Sequence, residues 1–133
     1  MRNKHLPKIL IEMIEHKKQR YNTPGDYYKK GKNWEFKISK LDDDDFEFLC
    51  LIHELVEWHL TQRRGIKEED ITKFDIENPK LKDPGLSKEA PYHDEHMFSI
   101  KMEKAIAKKM GIKWRKYDKS YGKLRYKNNK KAF

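Results

Sequence analysis

The chain has 133 residues with 31 Lys and Arg against 22 Asp and Glu, a formal net charge of +9, and only 36% of its residues are apolar. That length holds one hydrophobic core and excludes a second beside it. No apolar run approaches the roughly 18 to 20 residues that cross a bilayer, and residues 1–16 lack the features of a secretory signal. A cytoplasmic protein without a membrane partner is expected. The lone cysteine, Cys50, rules out an internal disulfide and any cysteine-based zinc knuckle, so a metal would have to be held by His and carboxylates.

Taken in chain order, residues 8–15 (KILIEMIE) are β-branched and partly alternating, which predicts a strand. The turn-forming NTPGD at 22–26 follows. Tyr27 and Tyr28, a turn at Gly31-Lys32-Asn33, and Trp34, Phe36 and Ile38 alternating with charged residues then predict a hairpin buried on one face. The expectation is a small antiparallel sheet. Asp42 to Asp45 supply a cap and negative charge for a helix start, and Arg63, Arg64 and Gly65 supply its stop, giving a helix of about 20 residues. A short helix fits KEEDITKFDIEN at 67–78. The loop NPKLKDPGLSKEAP, with three prolines, leads to a second long helix running from near Pro91 to Gly111.

Charge divides the chain unevenly. Residues 112–133 hold Lys113, Arg115, Lys116, Lys119, Lys123, Arg125, Lys127, Lys130 and Lys131 against a single acid, Asp118, so residues 1–111 are close to neutral. Trp114, Tyr117, Tyr121 and Tyr126 are interleaved with these charges, which lets part of the segment dock on the domain, while KNNKKAF at 127–133 reads as disordered. The organisation expected is one α+β metal-binding domain at 1–111 followed by a basic aromatic segment at 112–133. The stretch Lys113–Lys131 could contact nucleic acid without sequence preference, or serve only as a solubilising end.

The chemistry lies in the first long helix, FEFLCLIHELVEWHL at 46–60. Wound at about 100° per residue, it is apolar around most of its circumference, as expected for a helix through the middle of a domain. The exception is a wedge of Cys50, His53, Glu54, Glu57 and Thr61, in which His53 and Glu57 are one turn apart on the same face. A buried, unpaired carboxylate costs several kcal/mol, so Glu57 must be neutralised, paired or bound to a metal. An imidazole nitrogen and a carboxylate oxygen at this spacing can meet one ion; a buried His-Glu pair with a purely structural role is the competing reading.

His53-Glu54-Leu55-Val56-Glu57, on a helix that follows a hairpin, resembles the H-E-x-x-H helix of zincin metallopeptidases with Glu in place of the second His. The resemblance covers about 60 residues. It implies that His53 and Glu57 bind the metal, that Glu54 is the general base, and that a third ligand comes from a later helix. RYNTPGDYY, IHELVEW and APYHDEH together also resemble a group of small bacterial and phage proteins of unassigned activity, over most of the chain.

In Pro91-Tyr92-His93-Asp94-Glu95-His96 the third-ligand candidates cluster at a helix start. His96 completes a His₂Glu set of the thermolysin type, with His93 or Glu95 as substitutes. Zn²⁺ is the expected metal, and a carboxylate surround of Glu54, Asp94 and Glu95 would also suit Mn²⁺ or Fe²⁺. The function implied is a metal-dependent hydrolase of peptide or amide bonds. The alternatives are a non-catalytic phage or bacterial binding module, contacting nucleic acid or an acidic partner through its basic segment, and a metal-dependent phosphoesterase. His59, opposite the wedge, reads as packed or half-exposed. Asp75 reads as a surface acid that could instead orient a ligand histidine, and Cys50 as a small core residue. His5 and His16 have no supporting motif.

Overall fold

A computed structural model describes residues 5–128, with side chains as far as Leu124. Three strands, β1 (Ile9–Ile14), β2 (Gly25–Lys30) and β3 (Asn33–Ser39), are followed by four helices, α1 (Asp44–Arg63), α2 (Glu68–Glu77), α3 (His93–Lys109) and α4 (Trp114–Asn128). The fold is mixed α and β. None of the helices described is long and apolar enough to cross a membrane.

The sheet order is β1-β3-β2. β2 and β3 form the expected hairpin, with Tyr27 opposite Phe36 and Lys30 opposite Asn33. β1, however, runs parallel to β3, from Ile9 opposite Trp34 to Ile14 opposite Ser39, so the sheet is mixed and not antiparallel throughout. The connection after β1 explains this. Buried His16 bonds Ser39 Oγ and Asn22 Oδ1, both at 2.8 Å, and Gln19 Nε2 donates to the Lys37 carbonyl and to Ser39 Oγ at 3.0 Å. These bonds carry the chain past the end of the sheet, so it returns as β2 two strand positions away and β3 fills the gap.

On the inner face of the hairpin Phe36 and Ile38 are fully buried and Trp34 nearly so. Trp58 of α1 meets the Trp34 and Phe36 rings edge-on, at 5.6 and 5.4 Å between centroids, which fixes α1 across the sheet. Burying an apolar side chain of this size contributes about 1.5 to 3 kcal/mol, so these three rings hold the layer together. A second cluster of Leu49, Ala107 and Tyr117 joins α1 to α3 and α4.

The predicted limits of α1 are close to those observed. Asp43 caps it by accepting from the Asp45 amide at 2.8 Å, and Gly65, at φ 75°, and Gly111, at φ 73°, end α1 and α3 in the left-handed conformation that suits glycine. Its burial is uneven. The buried residues of α1 are Leu49, Cys50, His53, Glu54, Glu57, Trp58 and Thr61, whereas Ile52, Leu55, Val56 and Leu60 are half-buried and Phe48 is 44% exposed. The polar wedge is buried, as expected, and between Phe46 and Gln62 only Phe48 is exposed, so α1 has neighbours around most of its circumference while its apolar residues are less deeply covered than the wedge.

Residues 112–124 are docked on the body, since Tyr117 is buried against Phe46 and Ser120 Oγ donates to Asp42 at 2.9 Å. Helix α4 extends through Asn128, so Lys127 and Asn128 are helical; the rest of the stretch read as disordered, 129–133, lies outside the described residues.

Candidate metal centre

His53 and Glu57 project from adjacent turns of α1, and His96 reaches them from the first turn of α3. His53 Nε2 lies 3.0 Å from Glu57 Oε2 and 3.0 Å from His96 Nδ1, and His96 Nδ1 lies 2.9 Å from Glu57 Oε2. All three side chains are buried. Three donor atoms about 3 Å apart can all be reached by one ion with bonds of roughly 2.0 to 2.2 Å.

The outer atoms of the three residues decide which lone pairs face inward. His53 Nδ1 faces Glu103 Oε1, and His96 Nε2 faces Asp83 Oδ2 at 3.0 Å. A carboxylate only accepts, so each outer nitrogen carries the proton and donates it, and in the neutral ring the inner nitrogen is left with its lone pair. Glu57 Oε1 accepts from the Tyr27 hydroxyl at 2.9 Å, leaving Oε2 for the centre, and Glu103 Oε2 accepts from Tyr117 at 2.6 Å. Two nitrogen lone pairs and an anionic oxygen thus converge, and this arrangement repels itself unless a cation sits among them.

In the metal-free protein, protons supply that charge. Burial pulls the His53 imidazolium down, but Glu103 and Glu57 outweigh it and hold its pKa well above the ordinary value. Burial likewise opposes charge on His96, and Asp83 and Glu57 still push it up to about 9. Burial raises Glu57, yet the two imidazoles bring it down to about 2. Protons and a metal ion compete for the same lone pairs.

Glu54 is buried beside the triad, and its Oε2 has no hydrogen-bond partner. Burial, then the Glu57 charge, raises its pKa well above the usual carboxylate range. The backbone of β2 lies directly on it: a Cβ added at Gly25 would sit 2.5 Å from Glu54 Oε1. A Cβ at Gly85, in the one-turn helix Pro84–Leu86, would overlap the His96 ring. Both glycines make room for a site residue. Gly25, Glu54 and the triad line a recess of about 30 Å³, room for about two water molecules, that is partly open to solvent.

The other candidates lie elsewhere. The Nδ1–H of His93 donates to the Gly85 carbonyl at 2.9 Å, and Glu95 forms a two-point pair with Arg64, at 2.6 and 2.8 Å, that ties the start of α3 to the end of α1. Neither replaces His96. Asp94 is exposed, so the carboxylates around the triad are Glu54, Glu103 and Asp83 and not the expected Asp94 and Glu95. Asp75 is not a solvated surface acid: it is half-buried and accepts from the Tyr21 and Tyr92 hydroxyls at 2.8 and 2.5 Å, and the Tyr92 ring stands edge-on to His96. Cys50 is buried, with burial pushing its thiol well above the ordinary range, and His59 is half-buried.

Sequence reasoning missed Glu103, Asp83 and Tyr27. Glu103 carried a signal, because it lies seven residues after His96 on the buried stripe His96, Ser99, Glu103 and Ala107 of α3. Asp83 carried none; its place depends on the path of a loop. Comparison with protein-family profiles, curated proteins and solved structures finds no match to this chain.

Proposed function

We propose that the chain is a metal-dependent hydrolase of peptide or amide bonds, with His53, Glu57 and His96 holding the metal and Glu54 acting as general base. The observation that carries the reading is the pair of outer carboxylates, Glu103 and Asp83, which turn both inner imidazole nitrogens into ligands. A bound Zn²⁺ supplies a Lewis acid and a more acidic water; Mn²⁺ and Fe²⁺ compete for the same donor set. Glu54 lines the same recess, placed to accept a proton from water as its oxygen bonds to the substrate carbonyl carbon. The same proton then passes to the leaving nitrogen as the C–N bond breaks. Tyr27 fixes which oxygen Glu57 offers. The zincin resemblance and this donor set agree with each other. Among the described residues no Lys or Arg lines the recess, which disfavours the phosphoesterase alternative.

Cleavage of quenched peptides by the metal-loaded protein tests the reading. Glu54→Gln should retain the metal and lose turnover by about 10²- to 10⁴-fold. Unchanged turnover would remove Glu54 as base.

A second reading concerns the outside of the molecule. Lys101, Lys104 and Lys108 of α3 and Lys116, Lys119 and Lys123 of α4 are all exposed, giving each helix a basic outer face suited to a polyanion such as nucleic acid, held in a salt-dependent way. It is compatible with the hydrolase reading and with a binding module alike.

A further inference from the structure

We infer that the recess beside the triad receives a positively charged group of the substrate, an ammonium or guanidinium carried by a peptide. The inference rests on the hydrolase reading for its choice of a peptide, but not for the charge. Six carboxylates line the recess: Asp26, Glu54, Glu57, Glu68, Asp75 and Asp83. Arg20 pairs with two of them, 2.8 Å from Asp26 and 3.5 Å from Glu68. The five carboxylates other than Glu54 already outnumber the three positive charges of a divalent ion and this guanidinium. The chain's net charge of +9 does not cancel the remainder, because exposed lysines farther away than about 8 Å are screened at physiological salt.

Two further observations point to an organic cation. Glu54 is 7% exposed, lines the recess, and keeps Oε2 without a partner, a buried polar atom left for a group that enters from outside. Among the described residues the only buried group of three metal-type donors within reach of one ion is His53, Glu57 and His96. Asp26, Glu68 and Asp75 are thus not gathered for a second metal, whereas an ammonium with three N–H donors or a guanidinium with five can reach separated acceptors. Tyr21, Tyr27 and Tyr92 line the same space. Space for about two water molecules suits a small charged head group and excludes a nucleobase.

The test titrates three short alanine peptides into the protein and follows backbone amide shifts at Gly25, Asp26, Thr72 and Asp83. One is capped at both ends with a central Lys, one is capped with a central Glu, and one has a free N-terminal amine and no charged side chain. The titrations are made on the protein as isolated and again after chelation. The Lys or the free-amine peptide should bind about tenfold more tightly than the Glu peptide at 0.1 M salt, and which of the two does so identifies the source of the cation. Glu68→Gln, at the half-buried start of α2, and Asp75→Asn should each reduce that preference, with circular dichroism confirming the fold. Equal or tighter binding of the Glu peptide, no binding of either cationic peptide, or a preference unchanged in both variants would overturn the inference. Because the preference is read without turnover, it can survive a protein that cleaves nothing, and cleavage without the preference would leave the hydrolase reading standing alone.

Discussion

Helix α3 carries two opposite treatments of charge on its two faces. Inward, His96 and Glu103 are buried at 5% and 4% exposure, each bonded to named partners. Outward, Lys101, Lys104 and Lys108 stand in solvent. The inner charges persist only because geometry supplies each with a counter-group, since a buried charge without one costs several kcal/mol. The outer charges need no partner. Substitutions inside should therefore act on the proposed metal site, and substitutions outside only on long-range association.

The largest effect within this comparison is expected at the outer carboxylates. Glu103→Gln and Asp83→Asn keep the shape of each contact but remove the negative charge that fixes the imidazole proton, so metal affinity should fall about 10- to 100-fold, measured by competition with a chromogenic chelator. Unchanged affinity in both would mean that these contacts do not orient the ligands. Reversing the outer face with Lys101→Glu, Lys104→Glu and Lys108→Glu should abolish salt-dependent retention on nucleic acid while leaving metal content and peptide turnover within about twofold. A loss of metal there would break the separation of the two faces.

The smallest effect belongs to the outer face of the sheet, where Lys37 lies 3.1 Å from Glu35 and 2.6 Å from Glu12. The bond from Lys37 lowers the pKa of Glu35 below 4.5. A lowered carboxylate adds stability that is present above its ordinary pKa and lost as pH falls through the folded value. Lys37→Met should therefore flatten the acid limb of the thermal stability curve below about pH 4.5, more at low salt than at high salt, as scanning calorimetry would show.

The same contrast explains what the sequence made legible. His53 and Glu57 could be read because two ionisable groups one turn apart interrupt an apolar helix, and local periodicity reports that directly. His96 could be read because the zincin resemblance implied a third ligand from a later helix and the candidates His93, Glu95 and His96 cluster at one helix start. The direction of β1 could not, since it depends on His16 and Gln19 reaching Ser39 across more than twenty residues in one case and twenty in the other. The depth of the individual α1 residues was not legible for a related reason. Periodicity counts apolar residues, whereas here the inward face is set by the partners of His53 and Glu57, which come from β2 and α3, leaving Ile52, Val56 and Leu60 at the margin. The docking of α4 depends on Tyr117 reaching Glu103, a pairing that neither segment announces alone.

The central claim is that two imidazoles and a carboxylate share one cation. The most direct measurement is the metal content of protein purified without a histidine tag, by mass spectrometry, beside His53→Ala and Glu57→Ala. The account predicts about one equivalent of a transition metal in the parent chain and less than a tenth of that in either variant, with circular dichroism showing that both remain folded. A parent chain that stays metal-free after incubation with Zn²⁺, Mn²⁺ and Fe²⁺, and whose variants differ from it only in melting temperature, would contradict it.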